Sequence, residues 1–206
     1  HDLSWKRKKL FEFDCVEIVH EEIKDIPTAL CYKTSKHNES QSKPLGLNTV
    51  KLLKTASSAF GLSSHVTMRV AEHLYLNGFI TYPRTESTAY SENFSFDEVL
   101  NEHKNHPDWG QYASKLIEKG HEKPRDGKDA GDHPPITPVR CAEEGQLDDL
   151  EWRLYQFITQ NFLATISKPA QYRVIKVEFQ VGPERFELIG KQMISQGFLE
   201  ITPWLS

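Results

Sequence analysis

Apolar positions along this chain follow a helical period in the middle and a period of two near the end. In residues 48–76, apolar side chains recur every three to four positions, which predicts two helices separated at Gly61. From residue 171, apolar side chains alternate with polar ones, as in a half-exposed strand. Residues suited to an N-cap precede each helix: Asn48 or Thr49 for the first, and Ser63 or Ser64 for the second. The pattern predicts an α+β, mainly helical chain with β-rich ends.

Weaker patterns predict the remaining elements. Helices are expected at Phe13–Ile23, 96–105, 107–119 and 147–166, the last being the longest. Strands are expected at 3–11, 26–34, from 171 to the Gly182-Pro183 turn, and from 186 to 199. Polar, punctuated sequence predicts a loop at 35–44. Pro107 suits the first position of its helix and Gly120 the end, and four side chains of this region are expected to face inward: Trp109, Tyr112, Leu116 and Ile117.

A long polar loop is predicted between the helical middle and the last helix. Residues 121–145 show no apolar periodicity, and they contain four prolines and three glycines. A loop of this length is usually functional or disordered. A histidine between charged residues and prolines, His133, favours function.

Composition narrows the class of protein. The chain has 206 residues, of which 38% are hydrophobic and 26% charged, as in ordinary globular domains. No apolar run approaches the ~20 residues that span a bilayer, and no secretory signal is expected at the start. Three well-separated cysteines suit a reduced intracellular protein and show no metal-ligand spacing. A net charge of −4 argues against binding nucleic acid through bulk charge.

Candidate chemistry is concentrated in residues 78–88, with the sequence Gly-Phe-Ile-Thr-Tyr-Pro-Arg-Thr-Glu-Ser-Thr. Gly78 is placed to end the preceding helix in a left-handed conformation. Pro83 forces Tyr82 into an extended conformation, so Arg84 projects on the same side as Tyr82. A tyrosine can form a covalent intermediate, and a guanidinium can grip a phosphate with two hydrogen bonds. A buried tyrosine beside a surface arginine remains the alternative interpretation of these residue types.

The full string resembles the active-site segment of type IA DNA topoisomerases, and within them the eukaryotic topoisomerase III beta branch. A second string, Asp-Ala-Gly-Asp-His-Pro-Pro-Ile-Thr-Pro at residues 129–138, is similar to the family's downstream histidine motif. The flanks at 47–76 and 152–170 are also similar, so the resemblance covers nearly the whole chain.

The resemblance implies roles for individual residues. Tyr82 is expected to attack a phosphodiester and keep the 5′-phosphate, and Arg84 to bind the scissile phosphate. His133 is expected to hydrogen-bond a phosphate oxygen near Tyr82, with Asp129 and Asp132 holding it protonated. Thr85, Ser87 and Lys128 are candidates for contacts with nucleic-acid phosphates. Many bacterial relatives carry a basic residue where Thr137 stands, so a phosphate contact at Thr137 is not expected.

The resemblance also implies an architecture and a reaction. A helical gate domain at 44–168, which carries the tyrosine, is expected between two parts of a β hinge domain at 1–43 and 169–206. The family cuts one strand, passes another through the break and reseals it without ATP, which relaxes or decatenates DNA. Its Mg²⁺ is bound by an acidic Asp-x-Asp-x-Glu cluster in a Toprim domain, and this sequence has no such cluster. The chain is therefore expected to be a fragment that is inactive alone and that binds no metal itself.

Partners and location follow from the same resemblance. Single-stranded DNA is the expected substrate, with RNA as an alternative, and no membrane is expected. RecQ-type helicases or a Tudor-domain adaptor are expected to bind the full-length protein, and the nucleus is the expected location, with the cytoplasm as a second one. The alternative class is a catalytically silent nucleic-acid-binding or interaction module, such as a helix-turn-helix adaptor built on residues 48–76.

Overall fold

Six α-helices and one four-stranded sheet form the regular structure in this computed structural model, which describes residues 3–7, 9–143 and 145–206. In chain order the elements are β1 (Ser4–Trp5), α1 (Phe13–Ile23), β2 (Leu30–Gln41), α2 (Thr49–Phe60), α3 (Ser64–Leu76), α4 (Phe96–His103), α5 (Gly110–Lys119), α6 (Asp149–Thr165), β3 (Ala170–Val181) and β4 (Glu184–Ser195). Two short 3₁₀ helices follow, at Gly197–Glu200 and Pro203–Leu205.

The chain divides into two units, which we call the β unit and the helical unit. The β unit comprises the residues up to Gln41 together with Ala170–Gln196. The helical unit comprises Ser42–Pro169 and Gly197–Ser206. The last ten residues thus group with the helices, whereas the sequence-based division placed them with the β hinge.

The β unit contains one antiparallel sheet with the strand order β1-β4-β3-β2. Strands β3 and β4 form the predicted hairpin, in which Gly182 has a φ of 56°. The predicted loop at 35–44 is wrong, because β2 continues to Gln41 and pairs with β3 along its length. Nearly every side chain of β2 is exposed, so both of its faces are polar and no alternation reveals the strand.

Other predicted boundaries in the β unit shift. Within the predicted strand at 3–11, only β1 is a strand, and residue 8 lies outside the described residues. The strand predicted to run to residue 199 ends at Ser195, because a 3₁₀ helix follows. The helix predicted at Phe13–Ile23 is confirmed with the same bounds.

The two helices predicted in the middle of the chain are confirmed together with their caps. Asn48 Oδ1 accepts from Lys51 N at 3.0 Å at the start of α2, which ends at Gly61 in a left-handed conformation. Ser63 Oγ accepts from Val66 N at 3.3 Å at the start of α3. Beyond α3, Gly78 has a φ of 76°, which turns the chain sharply into the tyrosine segment.

The rest of the helical unit packs around α6. This helix starts with a capping box between Asp148 and Glu151 and contributes many fully buried side chains. Trp109 is completely buried, as expected, whereas Ile117 is 37% exposed. Pro107 does not start a helix: α5 begins at Gly110, because Trp109 turns inward and stacks on His106 at 3.6 Å between ring centroids.

The long polar loop carries no helix or strand in its described residues, 121–143 and 145. Two isolated antiparallel bridges, Leu47 with Ile136 and Ile80 with Pro138, join it to the segments beside α2 and α3. Across the described part of the chain, every helix is too short or too polar to span a bilayer.

Candidate active site

The tyrosine segment, residues 79–88, is extended and clamped on one edge by the histidine loop, residues 127–139. Thr81 N donates to Thr137 O at 2.9 Å, and Thr137 N donates to Thr81 Oγ1 at 2.9 Å. Val139 N donates to Phe79 O at 2.8 Å. Thr137 is 1% exposed, so its role in this structure is to pair with the tyrosine segment.

The start of α2 holds the other side of the same segment. Thr49 Oγ1 donates to Pro83 O at 2.7 Å and accepts from Thr85 N at 2.8 Å. Thr49 N donates to Thr85 O at 3.0 Å. These bonds fix the backbone on both sides of Arg84, so the arginine projects from a rigid stretch of chain.

Tyr82 lies between two aromatic rings on the surface of the helical unit. Its ring centroid is 4.6 Å from that of His133 and 5.2 Å from that of Tyr75 on α3. Tyr82 is partly exposed, and His133 is exposed. The phenol and the imidazole predicted to act together are thus neighbours at the surface of the helical unit.

Arg84 is exposed and bonded to a carboxylate on α3. Its Nε and Nη2 both donate to Glu72 Oε1, at 2.8 and 2.5 Å. Glu72 and Tyr75 are three residues apart on α3 and therefore share one helical face. That face contacts the guanidinium of Arg84 through Glu72 and the ring of Tyr82 through Tyr75.

Asp132 ties the histidine loop to the tyrosine segment. Its Oδ2 accepts from Glu86 N at 2.9 Å, and its Oδ1 accepts from Ser87 Oγ at 2.9 Å and from Thr85 Oγ1 at 3.3 Å. Thr85 Oγ1 also donates to the carbonyl of His133 at 2.7 Å. The Glu86 backbone N–H is the main cause that lowers the pKa of Asp132 to about 2, and Ser87 Oγ and the backbone N–H groups of His133 and Asp132 add to the effect. Asp132 is therefore ionised at neutral pH.

The hydroxyls of Thr85 and Ser87 are directed into the protein. The two residues are 3% and 2% exposed, and Ser87 Oγ also accepts from Ala130 N at 3.0 Å. Their bonds join the segment to the histidine loop. Contact of either hydroxyl with a phosphate stays a prediction.

Lys128 contributes its backbone to the same junction. Its carbonyl accepts from Thr88 N at 2.8 Å, and its N donates to Thr88 Oγ1 at 2.9 Å. A Cβ on the preceding Gly127 would lie 2.4 Å from Thr88 O, so only glycine permits this close approach. The Lys128 side chain is exposed, and its phosphate contact stays a prediction.

The acidic residues beside His133 do not hold its ring as expected. Asp132 is turned towards residues 85–87, and Asp129 Oδ1 accepts from Gly131 N at 2.8 Å. Within the part of the chain that the structure describes, neither carboxylate hydrogen-bonds the imidazole. The ring is positioned by its backbone and by Tyr82.

The described residues include no group of three or more histidine, cysteine, aspartate or glutamate side chains that could hold a metal ion.

Comparison with known proteins identifies the family. A family model described as DNA topoisomerase matches residues 1–206. This chain belongs to the DNA topoisomerase family. It is 43% identical to mouse DNA topoisomerase 3-beta-1 over 204 residues and 43% identical to DNA topoisomerase 3-beta of Arabidopsis thaliana over 202 residues. These alignments cover 99% and 98% of this chain. The chain itself spans only about a quarter of the length of those relatives, 24% and 23%.

A solved topoisomerase has the same fold. The full-length topoisomerase I from Thermotoga maritima matches 99% of this chain and 33% of its own chain, with a TM-score of 0.72 and 24% identity. The predicted type IA fold is therefore confirmed. Which part of this topoisomerase chain acts as gate and which as hinge stays a prediction.

Sequence reasoning missed three residues that contact the tyrosine segment: Thr49, Glu72 and Tyr75. Thr49 was considered only as a helix cap, and Tyr75 only as part of an apolar face. The spacing of Glu72 and Tyr75 was the available signal, because it places a carboxylate and an aromatic ring on the helix that leads into the tyrosine segment.

Proposed function

We propose that this chain carries the strand-cleaving tyrosine of a type IA topoisomerase. In this proposal the enzyme cuts one strand through a 5′-phosphotyrosine, passes another strand through the gap and religates, which relaxes or decatenates DNA without ATP. The observation that carries the proposal is the half-exposed Tyr82 ring, 4.6 Å from the ring of His133 and backed by Tyr75. Membership of the DNA topoisomerase family supports it.

In the cleavage step the Tyr82 oxygen loses its proton and attacks the phosphorus of a phosphodiester. The new bond joins the tyrosine oxygen to phosphorus, and the bond from phosphorus to the 3′-oxygen breaks. The 3′-oxygen leaves with a proton as a free hydroxyl. Religation is the reverse reaction, and because one phosphoester replaces another, no ATP is needed.

Arg84 and His133 are proposed to stabilise the charge that develops on the transferred phosphoryl group. Arg84 offers a planar array of N–H donors suited to phosphate oxygens. His133 offers a ring N–H on an imidazole whose centroid is 4.6 Å from that of the Tyr82 ring. Fixed donors of this kind act without reorganisation during the reaction, and the loss of one typically costs ~10²–10³ in rate.

The metal and the wider architecture belong to the same proposal. Mg²⁺ is proposed to bind a Toprim domain outside these residues, so no step is assigned to it here and the chain alone is expected to be inactive. The helical unit is proposed as the gate that carries Tyr82, and the β unit as part of the hinge.

Single-stranded DNA is the proposed substrate, because such sites bind the backbone with little dependence on sequence. The exposed Lys128 side chain is proposed to contact a backbone phosphate. RNA as a second substrate, RecQ-type helicases or a Tudor-domain adaptor as partners, and a nuclear location are proposals that rest on the resemblance to topoisomerase III of the beta type.

The test uses a hybrid protein in which a relative provides the rest of the enzyme. This chain replaces the matching quarter of mouse DNA topoisomerase 3-beta-1, and the hybrid is mixed with Mg²⁺ and an oligonucleotide labelled on the 3′ side of the cleavage site. We expect label to become covalently attached to protein, and we expect Tyr82→Phe to abolish the attachment. The phenylalanine keeps the ring packing and removes only the nucleophile.

Tyr75→Phe is the matched control, because it removes the hydroxyl of the neighbouring tyrosine and should leave the adduct intact. An adduct that persists in Tyr82→Phe refutes the assignment of Tyr82. A folded hybrid that binds the strand without any adduct favours the silent binding module.

A further inference from the structure

The position of His133 depends on how the histidine loop is attached to the tyrosine segment. Asp132 makes three of these attachments, to Thr85 Oγ1, to Glu86 N and to Ser87 Oγ. It is adjacent in the chain to His133, whose carbonyl accepts from Thr85 Oγ1. The backbone that carries the imidazole is therefore bonded to residues 85–87, both at Asp132 and at the His133 carbonyl.

We propose that Asp132 is a positioning residue that holds the His133 ring beside Tyr82 by anchoring the histidine loop to residues 85–87. This inference rests on the proposed function for its kinetic consequence. Its structural part, the placement of the His133 ring, can be tested without any reaction.

The arrangement suits a carboxylate better than any neutral side chain. Glu86 N and Ser87 Oγ each donate to one oxygen at 2.9 Å, and the single proton of Thr85 Oγ1 is shared between Asp132 at 3.3 Å and the closer His133 carbonyl at 2.7 Å. An ionised carboxylate has lone pairs for all of these donors. An asparagine keeps the shape and one carbonyl acceptor, while its amide group cannot accept from the remaining donors. An alanine leaves the Glu86 N–H and the two hydroxyls without this partner.

The bonds of Asp132 also distinguish positioning from proton transfer. Both of its oxygens are bonded to residues 85–87, and neither bonds to the ring of His133 or to Tyr82. Its pKa of about 2 keeps it ionised throughout the neutral range. Asp132 therefore acts on the chemistry through the geometry of His133.

Asp129 provides a matched control in the same loop. It is an exposed carboxylate three residues away, and its side chain accepts from Gly131 N. Asp129→Asn changes the net charge as Asp132→Asn does, without touching residues 85–87. Ser87→Ala removes one of the three donors and should have a smaller effect than the loss of the carboxylate.

The structural experiment uses NMR on the chain itself. The ring current of Tyr82, 4.6 Å away between centroids, should displace the Cε1–H resonance of His133, which His133→Gln assigns and Tyr82→Leu calibrates. We expect Asp132→Ala to move this resonance towards its value in Tyr82→Leu, Asp132→Asn to move it part of the way, and Asp129→Asn to leave it in place.

The kinetic experiment uses single-turnover cleavage by the hybrid enzyme. We expect Asp132→Ala to slow cleavage roughly 10- to 100-fold, the size of effect that misplacement of a reacting group produces. In a His133→Ala background the same change should have little further effect, because the residue it positions is absent. Asp132→Asn should restore part of the rate.

An unmoved His133 resonance in a folded Asp132→Ala or Asp132→Asn chain overturns the inference. So does a rate loss of equal size with and without His133. If the resonance moves in the chain while the hybrid forms no adduct even with Tyr82 intact, the positioning role is supported and the proposed function is refuted. The two failures are therefore distinguishable.

Discussion

At the scale of single residues, Glu72 occupies the guanidinium that we propose binds a nucleic-acid phosphate. Arg84 gives two of its donors, Nε and Nη2, to one oxygen of Glu72. Both side chains are substantially exposed, at 56% and 40%, so the pair is screened by solvent and is worth at most ~1 kcal/mol. A strand that binds at Tyr82 can therefore displace Glu72 at small cost.

Glu72→Gln is expected to strengthen binding of single-stranded DNA. It removes a negative charge beside Arg84 at constant size, so affinity should rise about two- to fivefold at low salt, the equivalent of ~0.4–1 kcal/mol. Fluorescence anisotropy of a labelled oligonucleotide measures the change, and raising the salt concentration should reduce it.

Glu118→Gln on α5 is the control for a general change in net charge, because Glu118 is also exposed. Equal gains from the two variants, or an undiminished gain for Glu72→Gln in an Arg84→Ala background, would show that the effect does not pass through Arg84.

Sequence reasoning singled out Tyr82 and Arg84 as the proposed reactive residues, but it did not predict the side chains that support them. Tyr82 and Arg84 lie within one short string whose conformation Gly78 and Pro83 determine locally. Glu72 contacts Arg84 from 12 residues away, and Asp132 contacts residues 85–87 from 45 to 47 residues away. Such pairs depend on how helices and loops pack, and no periodicity or capping rule encodes them.

At the scale of elements, the same limit separates the confirmed helices from the second half of β2, which was predicted as a loop. Helices α2 and α3 have side-chain caps and an apolar face, and both features can be recognised from the residues of each helix alone. Strand β2 owes its conformation to 11 paired residues of β3, more than 120 positions later in the chain. Its first residues, 30–34, fall in the strand predicted at 26–34, but the exposed and polar residues 35–41 indicate a loop, so only the partner strand shows how far β2 extends.

A buried histidine joins α4 to α5 and gives the helical unit a dependence on pH. Trp109 Nε1 donates to His103 Nδ1 at 3.2 Å, and both side chains are at most 1% exposed. Burial is the main cause that lowers the pKa of His103 to about 4, and His106 adds to the effect while Glu102 opposes it. Protonation of Nδ1 would also break the bond from Trp109.

The helical unit is expected to lose stability between about pH 6.5 and pH 4. In that range the unfolded chain binds a proton at His103 that the folded chain excludes, so the free energy of unfolding falls as the pH falls. The full loss is about 3 kcal/mol. Urea unfolding followed by tryptophan fluorescence at several pH values measures it.

His103→Gln should flatten this dependence, because glutamine can still accept from Trp109 but does not titrate. An unchanged pH dependence in that variant would assign the effect to other groups, of which His106 is the nearest candidate, since burial lowers its pKa as well.

At the scale of the whole molecule, apolar burial is distributed unevenly between the two units. Among the described residues, only Ala170 and Val174 are buried apolar side chains of the β unit, whereas all others belong to the helical unit. The β unit relies on its strand ladders and on ion pairs, such as those of Glu178 with Lys6 and of Glu184 with Arg7. The carboxylates of these pairs are buried, but the cations Lys6 and Arg7 are 33% and 57% exposed, so solvent screens the pairs and their contribution is small. Each fully buried aliphatic or aromatic side chain contributes ~1.5–3 kcal/mol.

We therefore expect the β unit to open at lower free energy than the helical unit. Amide hydrogen exchange should show the slowest amides of β3 and β4 at least about tenfold less protected than those of α6, a difference of ~1.4 kcal/mol or more. Leu154→Ala in α6 is the internal control: it should cost ~2–5 kcal/mol and lower protection throughout the helical unit, because Leu154 is completely buried. Equal protection of β3 and α6 would instead mean that the two units unfold as one cooperative structure, and the small core of the sheet would not set its stability.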